Sequence, residues 1–209
     1  MSTLAPTMND RQNSRTRMRL IGSRLFGLSI LVLLALGGSS WSHAPLFEES
    51  LFLVGVLLAV AGFCGRLWCL SYIAGRKKRV LVTTGPYSLC RHPLYFFSLV
   101  GGIGLSLCTE TLMVALLFVV AFALYYPHVI RGEETFLTDN FPEYENYKLK
   151  VPLFFPRWSN FTEGDVMINV CAFRREIVAA GAFLSFIGVI EFVEILHDVN
   201  ILPTYFLIP

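Results

Sequence analysis

The chain has 209 residues, of which 55% are hydrophobic and only 15% charged, with a formal net charge of +2. A soluble globular domain carries about a quarter charged residues, so this composition excludes disorder, nucleic-acid binding and an ordinary cytosolic enzyme. One domain of an integral membrane protein is expected, all-α, with its chemistry confined to short polar segments.

Residues 1–24 read as a cytoplasmic amino tail holding Arg11, Arg15, Arg17, Arg19 and Arg24. Residues 25–209 then form a single membrane domain with five apolar segments. Leu25–Leu46 carries no formal charge, and Leu51–Ala74 is interrupted only by Arg66. Pro93–Thr109 and Thr111–Ile130 are uncharged and separated by Glu110, which makes them a tight helical hairpin. Ile177–Leu196 follows Arg174, Arg175 and Glu176. A span needs roughly 20 residues, so four segments cross comfortably and Pro93–Thr109 is short.

The basic residues give the orientation. Arg76-Lys77-Lys78-Arg79, Arg91, Arg131, Lys148, Lys150, Arg157, Arg174 and Arg175 fall on the same side as the amino tail. Ser39–Ser50, Cys108–Glu110 and His197–Pro209 contain no Lys or Arg. The expectation is five crossings, with the amino terminus cytoplasmic and the carboxyl terminus outside. The arginines, Leu25–Leu36 and Gly37-Gly38-Ser39-Ser40 also have the layout of a secretory signal peptide; an uncleaved first span is the reading adopted, and cleavage would leave the remaining topology unchanged. The five cysteines make no CxxC pair and read as free buried thiols. Glu191, Glu194 and His197 share a helix face at metal-like spacing, but read as wetted side chains at the outer interface. No metal site is expected.

Two polar segments remain, 76–95 and 131–176. In the first, Val80–Thr84 has strand character, Gly85-Pro86 breaks it, and Arg91-His92 precede a helix start at Pro93. His92 then sits at a helix amino terminus, where backbone N–H groups suit a carboxylate-bearing ligand. In the second, residues 132–140 continue the fourth span and 143–150 form a short helix. Its many aromatics favour a segment folded back over the helix ends.

These residues carry a resemblance. Leu81-Val82-Thr83-Thr84-Gly85-Pro86-Tyr87, with Arg91-His92-Pro93-Leu94-Tyr95, is similar to the cofactor motif of the isoprenylcysteine carboxyl methyltransferase family. The second block, Glu133-Glu134, Leu137, Phe141, Glu143-Tyr144, Tyr147 and Val151-Pro152, follows in the order that family shows. Pro142 stands where the family usually has Gly. The wider group includes phospholipid methyltransferases.

The resemblance implies S-adenosylmethionine as cofactor and a lipid-like acceptor arriving through the bilayer. Val80, Leu81 and Val82 would line the adenosine pocket, largely through backbone contacts. Tyr87, His92, Pro93, Leu94 and Tyr95 match cofactor-holding positions, Glu133 matches a carboxylate contact, and Tyr72 falls near a further one. Arg131 lies half a turn from the arginine that engages the acceptor's carboxylate in eukaryotic members. Chemically, a sulfonium methyl needs alignment and desolvation rather than a metal. Aromatic faces suit the cation, and Tyr87, Tyr95, Tyr125 and Tyr126 are candidates. A carboxylate or phosphate acceptor needs no base, whereas a headgroup amine does, with Glu134 the nearest candidate. Two other classes stay open: an NADPH-dependent membrane reductase of the sterol-reductase type, and a non-catalytic lipid-binding membrane protein.

Overall fold

The computed structural model describes residues 37–39, 45–76, 79–166, 170–199, 201 and 206–208. The amino tail and most of the first apolar segment lie outside the described residues, as do Lys77, Lys78 and Leu202–Tyr205. The order is β1 (Gly37–Ser39), α1 (Pro45–Ile73), α2 (Pro86–Leu89), α3 (Pro93–Leu107), α4 (Leu112–Asn140), α5 (Tyr144–Lys150), a 3-10 turn (Trp158–Asn160), α6 (Val170–Asp198) and β2 (Phe206–Ile208). Among the described residues three helices are long and apolar enough to cross a membrane: Leu46–Ile73, Leu112–Asn140 and Phe173–His197. Pro93–Leu107 is apolar but shorter, as the short third segment implied.

The architecture is helical, as the all-α expectation had it; beside the helices β1 and β2, three residues each, pair in parallel, Gly37 opposite Phe206 and Ser39 opposite Ile208. One correction concerns Val80–Thr84. Among the described residues no strand pairs with it, and residues 81–83 form irregular backbone instead. Leu81 packs toward α5, while Val82 is buried against Tyr72 and Cys69 of α1.

The main helix interface is α1 against α3. Lipid tails are as apolar as leucine, so helices in a bilayer associate through close packing of small residues. Gly62 faces Gly101 so closely that a Cβ at position 62 would fall 2.4 Å from the Gly101 Cα. At Gly104 the same atom would fall 2.3 Å from the Ala59 nitrogen. α4 packs on α3, after a turn in which Glu110 takes a left-handed φ of 54°. α6 packs on α1. At one end Cys108 and Ile190 are buried with Phe52, Val56 and Leu105.

Arg66 carries the charge that binds α6 near the opposite end. Its Nη2 lies 2.6 Å from Glu176 Oε1, and its Nη1 donates to Ser98 Oγ at 2.5 Å. A charge inside a membrane helix is tolerated when paired in this way. The outward faces stay apolar: Leu53 and Leu57 on α1, Leu116 and Leu124 on α4, Val178 and Phe192 on α6 are all exposed. Three of the cysteines (Cys69, Cys90, Cys108) are buried thiols, but Cys64 and Cys171 are exposed, which corrects the expectation for those two. His197 Nε2 is buried and unpartnered among the described residues, so this ring nitrogen is not wetted. No cluster of three or more metal-ligating side chains occurs among the described residues.

Candidate active site

Gly85 sets the first element of the site. Its φ of 61° is left-handed, and a Cβ there would meet the Tyr72 ring at 2.4 Å. Glycine alone satisfies both conditions. The chain then turns through α2 and leaves Cys90 extended before Arg91, His92 and Pro93. Pro93 opens α3 with His92 as its N-cap, where proline's missing N–H costs nothing. The His92 carbonyl accepts from Tyr95 N at 3.1 Å and Phe96 N at 3.2 Å.

The second element is the polar end of α4, which runs through Pro127 to Asn140. It brings Glu133 and Glu134 to His92 from a distant part of the chain. Nε2 of His92 donates to Glu134 Oε1 at 2.9 Å, and Nδ1 lies 3.5 Å from Glu133 Oε2. Arg91 Nη1 donates to the other oxygen of Glu134 at 2.5 Å. The Tyr144 hydroxyl of α5 donates to Glu134 Oε1 as well. Glu134 therefore serves three donors from two other segments. Glu133 is 38% exposed and Glu134 17%, and Glu134 is the nearer to the ring, so the adjacent glutamates meet one imidazole unequally.

The third element is the segment that folds back, as its aromatics suggested. Tyr144, Tyr147 and Val151 are buried together with Leu81, Leu137 and Phe141 around them. Backbone bonds tie it to the first loop: Arg91 N to Pro152 O at 2.9 Å, Arg157 N to Leu89 O at 3.0 Å, and Gly85 N to Thr162 O at 2.8 Å. The Tyr147 hydroxyl donates to Tyr87 O at 2.6 Å. Burial, then the hydrogen bond to Glu134 and its charge, push the Tyr144 phenol well above its ordinary range. Burial does the same to Tyr147 and Tyr87. It also raises the Cys90 thiol to about 12, which leaves this cysteine inert as a nucleophile.

An aromatic run leads away from the cluster. His92 stacks on Tyr95 at 5.8 Å, Tyr95 meets Tyr126 edge-on at 5.1 Å, and Tyr126 stacks on Phe122 at 3.8 Å. Phe154 of the returning segment closes against Phe96 and Phe122. Tyr125 touches the run through Tyr126.

The residues singled out from sequence divide into groups. His92, Glu133 and Glu134 converge, Tyr95 adjoins them, and Pro93 is buried beneath. Tyr72, Val82 and Tyr87 form a separate buried cluster, with Leu94 packed on it. Val80 is exposed and Leu81 faces α5. Arg131 is exposed on α4, outside the hydrogen-bonded cluster. Arg91 and Tyr144 belong to the two motifs, but the sequence assigns neither a role of its own. The signal for Arg91 was its place directly before His92, and for Tyr144 its place ten residues beyond Glu134.

The described residues thus place a polar cluster at a helix mouth, beside helices long and apolar enough to span a membrane. Residues 49–144 match the phospholipid methyltransferase family, and the chain belongs to it. It is 42% identical over 195 residues to the nickel-cobalt-cadmium resistance protein NccN of Alcaligenes xylosoxydans xylosoxydans, covering 93% of this chain and 91% of that protein. It is 43% identical over 194 residues to the cobalt-zinc-cadmium resistance protein CzcN of Cupriavidus metallidurans, covering 91% and 88%. No solved structure matches.

Proposed function

We propose that the chain transfers a methyl group from S-adenosylmethionine to a lipid-like acceptor at the cluster of Arg91, His92, Glu133 and Glu134. The observation that carries this reading is the convergence of those four side chains beneath the returning segment. A feature of Arg91 supports the cofactor's fit. Its Nε is buried and has no hydrogen-bond partner among the described residues, on a guanidinium whose Nη1 is held by Glu134. An amino-acid carboxylate is the group such a donor suits.

When bound, S-adenosylmethionine supplies a methyl already activated on sulfonium. The chain's own residues then align and desolvate. Arg91 holds the carboxylate, and Glu133 offers a counter-charge to the cofactor's ammonium group. Val80, Leu81 and Val82 contribute backbone beside Tyr72 and Tyr87. His92, oriented by Glu134 and stacked on Tyr95, forms one wall, with Pro93 and Leu94 behind it. Glu134 braces the site, because its oxygens already accept from Arg91, His92 and Tyr144. A carboxylate or phosphate acceptor needs no base; for a headgroup amine, Glu133 is the more accessible carboxylate. Arg131, on the exposed face of α4, is assigned to the acceptor's approach. The acceptor slides in laterally along the aromatic run, and the Lys/Arg asymmetry supports a cytoplasmic site, an inward amino terminus and five crossings.

The relatives' names bear on resistance to metals. We read this chain's share in such resistance as indirect, through methylation that alters the membrane surface on which divalent cations collect.

Calorimetry on the purified full chain tests the proposal. S-adenosylmethionine binds, and His92→Ala weakens it about tenfold in a protein that still unfolds cooperatively. Binding of NADPH instead points to the reductase class, and binding of neither points to a non-catalytic lipid protein. In cells that need this chain for cobalt, zinc or cadmium tolerance, full rescue by His92→Ala would separate resistance from methyl transfer.

A further inference from the structure

The returning segment carries a second surface that the proposed reaction does not use. A cavity of about 500 Å³ opens there, lined by the polar side chains of Thr83, Asn146, Lys150, Ser159, Asn160 and Thr162. Arg91, His92, Glu133, Glu134 and Tyr144 are not among its lining residues. From Asn146 to Thr162 the chain has no acidic residue but contains Lys148, Lys150 and Arg157. Lys148 lies 3.7 Å from Glu145, which offsets its charge. Lys150 and Arg157 are exposed and make no ion pair among the described residues.

Asn160 ties the backbone of those two residues together, Lys150 lining the cavity and Arg157 lying three residues before Asn160. Its side-chain amide donates to Lys150 O at 3.1 Å, and its backbone N–H donates to Arg157 O at 3.1 Å. Large apolar side chains alternate with the cations and are turned outward: Leu149 is 85% exposed, Phe155 74% and Trp158 69%. Cations interleaved with Leu, Phe and Trp, on a segment fixed at the ends of membrane helices, suit the boundary between headgroups and acyl chains.

We propose that this face rests on the acidic phospholipids of the membrane the helices span. One lipid phosphate is held at the cavity mouth by Lys150 and Arg157. Leu149, Phe155 and Trp158 lie among the acyl chains beside it. The site is an anchoring subsite, separate from the methyl-transfer cluster. Its occupant is a phospholipid with a net negative headgroup, recognised by phosphate charge and by the adjoining apolar surface together.

Native mass spectrometry of the full chain in detergent tests this, with dioleoyl phosphatidylglycerol and dioleoyl phosphatidylcholine as probes. Phosphatidylglycerol is retained about tenfold better, and Lys150→Gln/Arg157→Gln reduces it to the phosphatidylcholine level. Lys150→Arg/Arg157→Lys keeps the preference. S-adenosylmethionine affinity is the same in all three proteins, so the outcome is independent of the methyl-transfer reading. Equal retention of the two lipids, or a preference that survives the double Gln variant, would overturn the proposal. So would displacement of the lipid by millimolar inorganic phosphate, which would mark a site for free anions.

Discussion

The α1–α3 pair and the returning segment 141–166 are held by opposite means. Between the helices close packing dominates, Gly62 on Gly101 and Gly104 on Ala59, with a side-chain bond from Arg66 to Ser98 beside it. Over the site, named polar bonds do the work, with Glu134 gathering three donors and backbone groups tying residues 152, 157 and 162 to the loop at 85–91. The contrast follows from the surroundings. Hydrocarbon gives apolar helices no reason to associate except shape. Water at the polar end competes for every hydrogen bond, so a fold there needs several at once together with a buried cluster such as Tyr144, Tyr147 and Val151.

The largest expected effect breaks the polar side of this contrast. Glu134→Ala leaves Arg91, His92 and Tyr144 facing one another without their acceptor, at a cost of about 3–5 kcal/mol. Limited proteolysis then cuts between 141 and 166, while helicity by circular dichroism stays near the wild-type value. Gly62→Val attacks the other side. Its side chain meets the backbone of α3, and overpacking of this kind costs about 3 kcal/mol, read as a lower unfolding temperature in detergent. Activity and stability fall together there, because α3 carries His92.

A smaller effect separates the two adjacent glutamates. Glu133→Gln leaves the unfolding temperature unchanged and raises the S-adenosylmethionine dissociation constant about tenfold, since a charge-assisted contact is worth about 1.5 kcal/mol. Glu134→Gln lowers the unfolding temperature first. The reverse assignment would show the site to be built on the other carboxylate.

The smallest effect is in pH. The Tyr144 phenol is raised by burial and by Glu134. Above about pH 10 the unfolded chain loses this proton while the folded chain keeps it. Stability therefore declines as pH rises past that point. Tyr144→Phe flattens part of this decline between pH 9 and 11 in thermal unfolding. An unaltered slope would mean that other groups dominate.

The long helices and the start at Pro93 were legible because each rests on local signals: an apolar run, a proline, a change of charge. The short helix after Pro142 was legible for the same reason. Val80–Thr84 was misread because β-propensity describes a fit to a neighbouring strand, and here Leu81 and Val82 are drawn into two different clusters. The roles of Arg91 and Tyr144 depend on Glu134, which stands 43 and 10 residues away. Nothing in their immediate neighbourhood reports that partner. The pairing of Glu and His blocks became visible only through ordered motifs shared with a family, and the glycine contacts of α1 with α3 passed unnoticed among many small apolar residues.

The backbone bonds from Pro152, Leu89 and Thr162 have a consequence for traffic. The same bonds that hold the returning segment also hold the loop carrying Arg91 and His92. Lifting that segment like a hinged lid would dismantle the floor along with the roof. For the proposed reaction this favours exchange sideways, between helices held mainly by close packing, with the Arg66 bonds to Ser98 and Glu176 the exception.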